Sequence, residues 1–265
     1  MADRRLKGKN IIITGASSGV GAEIARLCAQ QGANLVLLAR RIDKLIALKE
    51  ELQHHFQVDV IACQLDVSNT TEIEEVFQEV FKQIDRVDVL VNNAGFGIFR
   101  EAHEAEVKEI KEMFAVNVIG LLACTKMVLP KMIATRSGHI INIASQAGKM
   151  ATPKSSVYAA TKHAVLGYTN SLRMEMVRSN VYVTAVNPGP IATDFFTVAD
   201  QSGTYVKNVG KYMLQPHDVA KKIVNSMLTQ TREINLPRWM NIGSVFYTLF
   251  PQLVERLGKK AFFKK

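Results

Sequence analysis

Cysteine is scarce in this chain, and long apolar runs and low-complexity segments do not occur. The three cysteines, Cys28, Cys63 and Cys124, each lie alone within an apolar segment of the 265-residue sequence. This usage indicates reduced thiols in a cytoplasmic protein, and the spacing fits neither a disulfide framework nor a zinc site, so we expect no metal. The basic start MADRRLKGKN has no signal-peptide pattern, and the lack of an 18-residue apolar run predicts no transmembrane helix.

No stretch of the sequence resembles a linker, so residues 1–265 are expected to form one domain. The formal charge of +9 permits attraction to nucleic acid, to an anionic membrane or to a phosphorylated ligand. Much of the basic excess lies at the two ends of the chain. Because no element interleaves basic and aromatic residues in a stripe, we expect no nucleic-acid partner.

Short apolar runs alternate with longer segments of helical periodicity. Strands are predicted at Lys9–Thr14, Asn34–Leu38, Val58–Leu65, Val87–Val91, His139–Ile143, Tyr182–Val186 and Glu233–Leu236. Helices are predicted at Val20–Gln30, Ile42–His54, Thr70–Gln83, Glu106–Ala134, Ser155–Arg173 and Gln215–Leu228. The continuous Val/Ile/Leu runs are typical of strands covered on both faces, so the pattern predicts an α/β fold with a parallel sheet of about seven strands.

Ligands of such sheets bind beyond the carboxyl ends of the strands. The first strand is followed by Thr14-Gly15-Ala16-Ser17-Ser18-Gly19-Val20-Gly21. Glycines allow a sharp turn and close approach of a ligand, and the amino terminus of the next helix offers free N–H groups to a pyrophosphate. This turn is either a nucleotide-binding loop or a purely structural connection.

The second strand ends at Ala39-Arg40-Arg41. Sheets that bind NAD tend to place an acidic residue here for the ribose 2′-hydroxyl, whereas an arginine binds a 2′-phosphate through charge-assisted hydrogen bonds. Arg40 therefore favours NADP over NAD. The alternative is that Arg40 and Arg41 only begin the following helix.

Polar residues also follow the other strands. Asp66 either accepts from an adenine amino group or forms a turn with Ser68. Further candidates at or near strand ends are Val67, Asn92, Ala94, Gly95, Ser145, Pro188, Gly189, Ile191 and Thr193. Asn117 interrupts an apolar helical run, where a buried amide requires hydrogen-bond partners.

The helix at Ser155–Arg173 carries Tyr158 and Lys162, which lie four residues apart and thus on one helical face. A tyrosine hydroxyl ordinarily keeps its proton to about pH 10. A neighbouring ammonium group would favour the phenolate, so we expect Lys162 to lower the pKa of Tyr158 toward neutrality. Alternatively, the two residues lie on a helix surface without a function.

The order and spacing of these motifs resemble the short-chain dehydrogenase/reductase family. The resemblance rests on TGASSGVG, Asp66-Val67, NNAG, Asn117, Ser145, YAATK and NPGPIAT, and it covers residues 7–236. It implies a doubly wound Rossmann fold and an NADP(H)-dependent oxidoreductase acting on a carbonyl or secondary alcohol. It also implies a homo-dimer or homo-tetramer.

The resemblance implies a role for each motif. Tyr158 would be the general acid or base, Lys162 its tuner and a ligand of the nicotinamide ribose, and Ser145 a hydrogen-bond partner of the substrate oxygen. Asn117 would hold a water in a proton relay. The cofactor would contact Gly15, Ser17, Ser18, Gly19, Val20, Gly21, Arg40, Asp66, Val67, Asn92, Ala94, Gly95, Tyr158, Lys162, Pro188, Gly189, Ile191 and Thr193.

Residues 190–214 read as an irregular lid, and residues 237–265 as an apolar and basic carboxyl-terminal extension. The extension either packs over the pocket or at a subunit interface, or it lies on a membrane surface, which would make the protein cytoplasmic but peripheral to a membrane. Loop residues near the pocket indicate an apolar substrate: Phe96, Phe99, Met150, Phe195, Phe196, Tyr205 and Met213. A different class of function, an NADPH-binding regulatory module, is the alternative to catalysis.

Overall fold

Seven strands form one parallel sheet in the computed structural model, which describes residues 5–150, 152–200 and 203–262, with side chains up to residue 258. The strands are β1 Asn10–Thr14, β2 Asn34–Ala39, β3 Val60–Gln64, β4 Val89–Asn92, β5 Gly138–Ile143, β6 Val181–Pro188 and β7 Glu233–Leu236. Their order in the sheet is β3-β2-β1-β4-β5-β6-β7. The predicted strands are confirmed, with ends shifted by about two residues at most.

The chain builds the sheet outward from β1 in both directions. It passes through β2 to β3, returns to the other side of β1, and continues through β4 to β7. The loops that leave β1 and β4 therefore diverge to opposite faces and leave a crevice at the carboxyl edge. This crevice is where the topology places a ligand.

Eleven α-helices are described along the chain. They are α1 Gly19–Gln30, α2 Ile42–Phe56, α3 Thr70–Gln83, α4 Val107–Phe114, α5 Leu121–Thr135, α6 Ser156–Glu175, α7 Phe195–Ala199, α8 Thr204–Val209, α9 Pro216–Ser226, α10 Arg238–Leu249 and α11 Pro251–Phe262. Alternate residues of each strand point to opposite faces. In β1, for example, Ile11 and Ile13 pack with α1, α2 and α9, while Ile12 packs with α3 and α5.

The long helix predicted at Glu106–Ala134 is interrupted by a π-helical turn at Ala115–Gly120, which joins α4 to α5. Asn117 lies in this turn. At its end Gly120 lies directly on the backbone of Val67, since a Cβ there would stand 2.3 Å from the Val67 carbonyl oxygen. The π-helical turn thus lets the helix pass close beneath the loop that follows β3.

The run Val107–Thr135 is long and apolar enough to cross a membrane by length and composition, with a mean hydropathy of 1.7 and 44% of that window buried. Its buried residues pack on the sheet: Cys124 and Val128 lie in the same cluster as Ile12 and Leu90. A helix that uses its apolar side chains in this way is a core helix. We therefore keep the expectation that this segment does not span a membrane.

The segment 190–214 is more regular than the sequence indicated. It contains α7, α8 and a short 3-10 turn at Gly210–Tyr212, and a single bridge pairs Ile191 with Leu214 at its base. The expectation of an irregular segment was wrong because runs of five or six residues are too short for a periodicity to emerge. The segment follows β6 at the carboxyl edge of the sheet, and its role as a lid stays a prediction.

Candidate active site

A cavity of about 850 Å³ lies at the carboxyl edge of the sheet, over the crevice between β1 and β4. Its walls come from the loops after β1 to β6 and from the lid segment. Most of the predicted site residues line it: Gly15, Ser17, Ser18, Gly19, Val20, Arg40, Asp66, Val67, Ala94, Gly95, Ser145, Tyr158, Lys162, Pro188, Gly189, Ile191 and Thr193. One cavity therefore joins motifs that are up to 178 residues apart in sequence, from Gly15 to Thr193 (193 − 15).

The amino terminus of α1 opens onto this cavity. Gly15 and Gly19 have φ angles of +65° and +55°, which favour glycine and bend the chain sharply between β1 and α1. Ser18, the N-cap residue, makes no side-chain capping hydrogen bond, and the first turn holds no acidic residue. The free N–H groups and the positive end of the helix dipole therefore suit an anion such as a pyrophosphate.

Gly21 has a packing role instead of lining the cavity. A Cβ at Gly21 would stand 2.4 Å from the Gly15 carbonyl oxygen and 2.6 Å from Asn93 Nδ2. Gly21 thus packs the loop closely on itself, and its contact with the cofactor stays a prediction. Only glycine permits this packing, which keeps Gly15 in place beneath the cavity.

Arg41, which we did not single out, reaches across the cavity entrance to the glycine loop. Its Nη2 donates to Ser17 Oγ at 3.0 Å and to Ser18 Oγ at 2.7 Å. Both Arg40 and Arg41 are exposed and line the cavity, and Arg41 also stands at the start of α2. A residue of this pair is therefore able to begin the helix and also to face the cavity, so the two alternatives for the pair do not exclude each other. Arg41 brings a positive charge to the glycine loop, which has no basic residue of its own.

Asp66 forms the predicted turn. Its Oδ1 accepts from Ser68 N at 2.9 Å and from Ser68 Oγ at 2.7 Å. Asp66 and Val67 nevertheless both line the cavity, next to Leu65. The turn thus holds the carboxylate at the cavity wall, where its remaining lone pairs are able to accept from an amino group.

Asn92, a predicted cofactor contact, has its side chain buried in the core, so a contact with the cofactor through its backbone stays a prediction. Asn92 Nδ2 donates to Thr125 Oγ1 and to Asn142 Oδ1, each at 2.9 Å, and the side chain is 2% exposed. The next residue, Asn93, lines the cavity and donates to Thr14 O at 3.0 Å and Gly15 O at 3.1 Å. Alternation along β4 turns Asn92 into the core and leaves the loop position to Asn93.

Asn117 fastens the loop after β4 to the π-helical turn. Its Oδ1 accepts from Phe96 N at 3.0 Å, and its Nδ2 donates to Phe96 O at 2.8 Å and Thr161 Oγ1 at 3.1 Å. A Cβ at Gly95 would stand 3.1 Å from Asn117 Oδ1 and 3.6 Å from Lys162 Nζ. Asn117 therefore lies beneath the cavity, near Lys162, with both amide hydrogens donated and one hydrogen bond accepted, and the water that it would hold stays a prediction.

Ser145, Tyr158 and Lys162 meet at one end of the cavity. Lys162 Nζ stands 5.7 Å from the centroid of the Tyr158 ring and donates to Ile143 O at 2.8 Å. Ser145 Oγ donates to Pro188 O at 3.4 Å and accepts from Ala147 N at 3.1 Å, and Ser145 is close enough to Tyr158 to lower the pKa of its hydroxyl. The helical spacing of four residues thus brings a hydroxyl and an ammonium group to one face, opposite the serine at the end of β5.

The expectation that Lys162 lowers the pKa of Tyr158 toward neutrality was wrong for this structure. Burial raises the pKa of Tyr158 to about 12, and the hydrogen bond with Ser145 offsets only part of that rise. Burial also lowers the pKa of Lys162 to about 8. Near pH 7 the tyrosine is therefore protonated, and the lysine still carries its charge.

Aromatic rings enclose the Tyr158 end of the cavity. Phe99 and Phe195 contact the Tyr158 ring in edge-on and tilted arrangements, with ring centroids 6.1 and 5.7 Å away. Phe196 and Tyr205, which contact each other, extend this aromatic group. Phe96 and Met150 also line the cavity, as predicted, whereas Met213 is not among its lining residues. These rings lie around Tyr158, whose side chain is partly exposed, and the desolvation that they cause accounts for its raised pKa.

Comparison with known proteins confirms the family that the sequence motifs resemble. Residues 9–202 match the family model described as short chain dehydrogenase. The NADP-dependent 3-hydroxy acid dehydrogenase of Schizosaccharomyces pombe is 34% identical over 225 residues, which cover 83% of this chain and 87% of that protein.

Solved structures show the same fold. An alcohol dehydrogenase from Thermococcus sibiricus, complexed with 5-hydroxy-NADP, has 29% identity and a TM-score of 0.79 over 87% of this chain and 96% of that one. A short chain dehydrogenase/reductase from Burkholderia phymatum, in complex with NAD, has 23% identity and a TM-score of 0.86 over 94% and 95% of the two chains. The second likeness concerns the fold alone.

Proposed function

Because the chain belongs to the short chain dehydrogenase family and is an oxidoreductase of the CH–OH/C=O type, we propose that it reduces an apolar carbonyl compound with NADPH. Tyr158 is the general acid, and the same residue is the base in the reverse oxidation. The observation that carries this proposal is the meeting of Ser145, Tyr158 and Lys162 at one end of a cavity whose other end is the uncapped α1 terminus.

Each residue has a chemical task at the substrate oxygen. Bound NADPH supplies the hydride to the carbonyl carbon. The Tyr158 hydroxyl donates its proton to the carbonyl oxygen, and the Ser145 hydroxyl hydrogen-bonds to the same oxygen as negative charge develops there. The Lys162 ammonium group, 5.7 Å from the Tyr158 ring, stabilises the phenolate that remains.

The arginines at the cavity entrance support a preference for NADP(H). Arg40 and Arg41 line the cavity, and Arg41 together with Ser17 and Ser18 forms a cluster of hydrogen-bond donors beside the glycine loop. Such a cluster suits the dianionic 2′-phosphate and offers no acidic acceptor for a ribose 2′-hydroxyl. The NADP named in the S. pombe relative and in the T. sibiricus complex agrees with this preference.

The substrate is inferred from the walls of the cavity. Phe99 and Phe195 contact the Tyr158 ring in the cavity wall, and Phe196 and Tyr205 pack on Phe99. Such a pocket favours an aliphatic or aromatic ketone or aldehyde over a polar sugar. We further propose that the protein is a cytoplasmic homo-dimer or homo-tetramer, in line with its three unpaired thiols.

The proposed function is tested by mixing the protein with NADPH and a panel of aliphatic, aromatic and hydroxylated carbonyl compounds. We expect oxidation of NADPH, followed by the loss of its absorbance, with the apolar ketones and aldehydes. Tight NADPH binding without turnover of any compound would favour a regulatory module instead. Turnover restricted to the hydroxylated compounds would contradict the apolar substrate.

The pH dependence of carbonyl reduction should follow the protonation state of Lys162. Because burial lowers the pKa of Lys162 to about 8, its charge is present below that pH and is lost above it. Tyr158, with a pKa of about 12, stays protonated throughout this range. We therefore expect kcat/KM for carbonyl reduction to be level near neutrality and to fall by about tenfold per pH unit above pH 8.

The control for this profile is Lys162→Arg, since a guanidinium group stays charged at these pH values. Whatever activity the variant retains should show no break near pH 8. A profile of the unchanged protein that stays level up to about pH 9.5 would mean that Lys162 does not titrate in the reaction.

A further inference from the structure

Helix α10 turns its polar side toward the protein and its apolar side toward solvent. Ser244 is 3% exposed, and Asn241 accepts from the Lys149 ammonium group at 3.2 Å. The opposite stripe consists of Trp239, Ile242, Phe246 and Leu249, which are 53–67% exposed. Their spacing of three, four and three residues places them on one helical face. A surface helix normally has the reverse arrangement.

Helix α11 continues this stripe. Phe250, Leu253 and Leu257 are also exposed, and Phe250 packs on Phe246 with ring centroids 5.7 Å apart. We call this surface the carboxyl-terminal apolar face, comprising Trp239, Ile242, Val245, Phe246, Leu249, Phe250, Leu253 and Leu257. Eight large apolar side chains in a row on one surface mark a binding site for an apolar partner.

The charge of the carboxyl-terminal sequence indicates what that partner is. After Pro237 the sequence holds the basic residues Arg238, Arg256, Lys259, Lys260, Lys264 and Lys265, against the single acid Glu255. The four lysines lie beyond residue 258, the last residue whose side chain the structure describes. In contact with a second copy of the chain, these positive charges would repel each other. An anionic bilayer offers an apolar acyl region for the stripe and negatively charged headgroups for the basic residues.

The face adjoins the mouth of the cavity. Trp239 packs on Tyr212 with ring centroids 6.4 Å apart, and both Tyr212 and Met240 line the cavity. Tryptophan and tyrosine are enriched where a protein meets the boundary of a bilayer, because their rings are apolar and their tips polar. The edge of the face thus has the composition of an interfacial belt.

We propose that the carboxyl-terminal apolar face binds the surface of an anionic lipid bilayer. The side chains of the stripe enter the acyl boundary, and the basic residues contact the headgroups. The cavity mouth then lies beside the lipid. This inference stands apart from the proposed reaction, because vesicle binding is measured without cofactor or substrate.

Trp239 provides a direct probe, since it is the only tryptophan in the chain. Vesicles with about 30 mol% phosphatidylglycerol in phosphatidylcholine, at about 0.15 M salt, should sediment the full chain and shift Trp239 fluorescence to shorter wavelength. Brominated acyl chains should quench that emission. Pure phosphatidylcholine vesicles should bind the protein at least about tenfold less.

The triple variant Ile242→Ser, Phe246→Ser, Leu249→Ser removes exposed side chains only, and we expect it to bind the anionic vesicles at least about tenfold less. The matched control is Val107→Ser, Met174→Ser, Val177→Ser, which alters equally exposed apolar residues elsewhere. It should bind as the unchanged protein does. Both variants should keep the circular dichroism spectrum and the thermal unfolding midpoint of the unchanged protein, which shows that each is folded.

Three results would overturn the proposal. The first is an absence of sedimentation and of quenching at every vesicle composition. The second is undiminished binding by the triple variant. The third is light scattering that shows an oligomer dissociating in the triple variant without any change in vesicle binding, which would assign the face to a second copy of the chain.

Discussion

Replacing Tyr158 by phenylalanine is expected to lower kcat for carbonyl reduction by at least about a hundredfold, while NADPH binds within about threefold of its normal affinity. General acids of this kind contribute about 10²- to 10⁴-fold to the rate. The phenyl ring retains the contacts with Phe99 and Phe195, so the cavity keeps its shape. What is lost is the proton itself and one hydrogen bond to the substrate oxygen.

The experiment compares single-turnover reduction and NADPH titration for the two proteins. Tyr182→Phe is the matched control, because it removes a hydroxyl from β6 outside the residues that line the cavity. It should turn over normally. Near-normal turnover by Tyr158→Phe would show that the proton comes from another donor.

The double variant Arg40→Asp, Arg41→Asp is expected to lower the ratio of kcat/KM with NADPH to that with NADH by at least about a hundredfold. A hydrogen bond to a charged group contributes about 1.5–3 kcal/mol, which is about ten- to a hundredfold for each arginine. The new carboxylates also repel the 2′-phosphate and accept from a ribose hydroxyl. NADH therefore serves as the internal reference.

Single substitutions separate the two arginines. Arg41 reaches Ser17 and Ser18, so Arg41→Ala should affect NADPH more than Arg40→Ala does. Lys44→Asp, an equal change of charge at an exposed position further along α2, should leave the cofactor ratio unchanged. If the double variant also keeps the ratio, neither arginine meets the 2′-phosphate, and the preference for NADP has to come from elsewhere.

The fold was predictable because the central strands are short, nearly continuous apolar runs. Ile11 to Ile13 is buried on both faces, and so is the run from Leu35 to Leu38. Such runs have no amphipathic alternative, and glycine-rich or polar turns mark their ends. The positions of Ser145 and Tyr158 followed from the same alternation of strands and helices. Ser145 comes two residues after β5, and Tyr158 lies on α6, a helix of regular period.

The environment of the site was less predictable than its members. Asn92 and Asn93 have the same side chain, and only the parity of β4 decides which faces the core. Whether the Arg40 or the Arg41 side chain reaches Ser17 and Ser18 depends on the backbone conformation at the start of α2. The pKa of Tyr158 depends on rings from Phe99 and Phe195, some 59 and 37 residues away in sequence (158 − 99 and 195 − 158), which a local pattern does not contain.

The π-helical turn Ala115–Gly120 sets the phase between two halves of one long helix. Each α-helical residue rotates the chain by about 100°, and a π-helical turn holds one residue more than an α-helical turn. Deleting one residue here would make the helix regular but rotate Cys124, Val128 and Met132 by about 100° away from the sheet. The amide of Asn117 and the core of α5 are therefore in register only because the turn carries that extra residue.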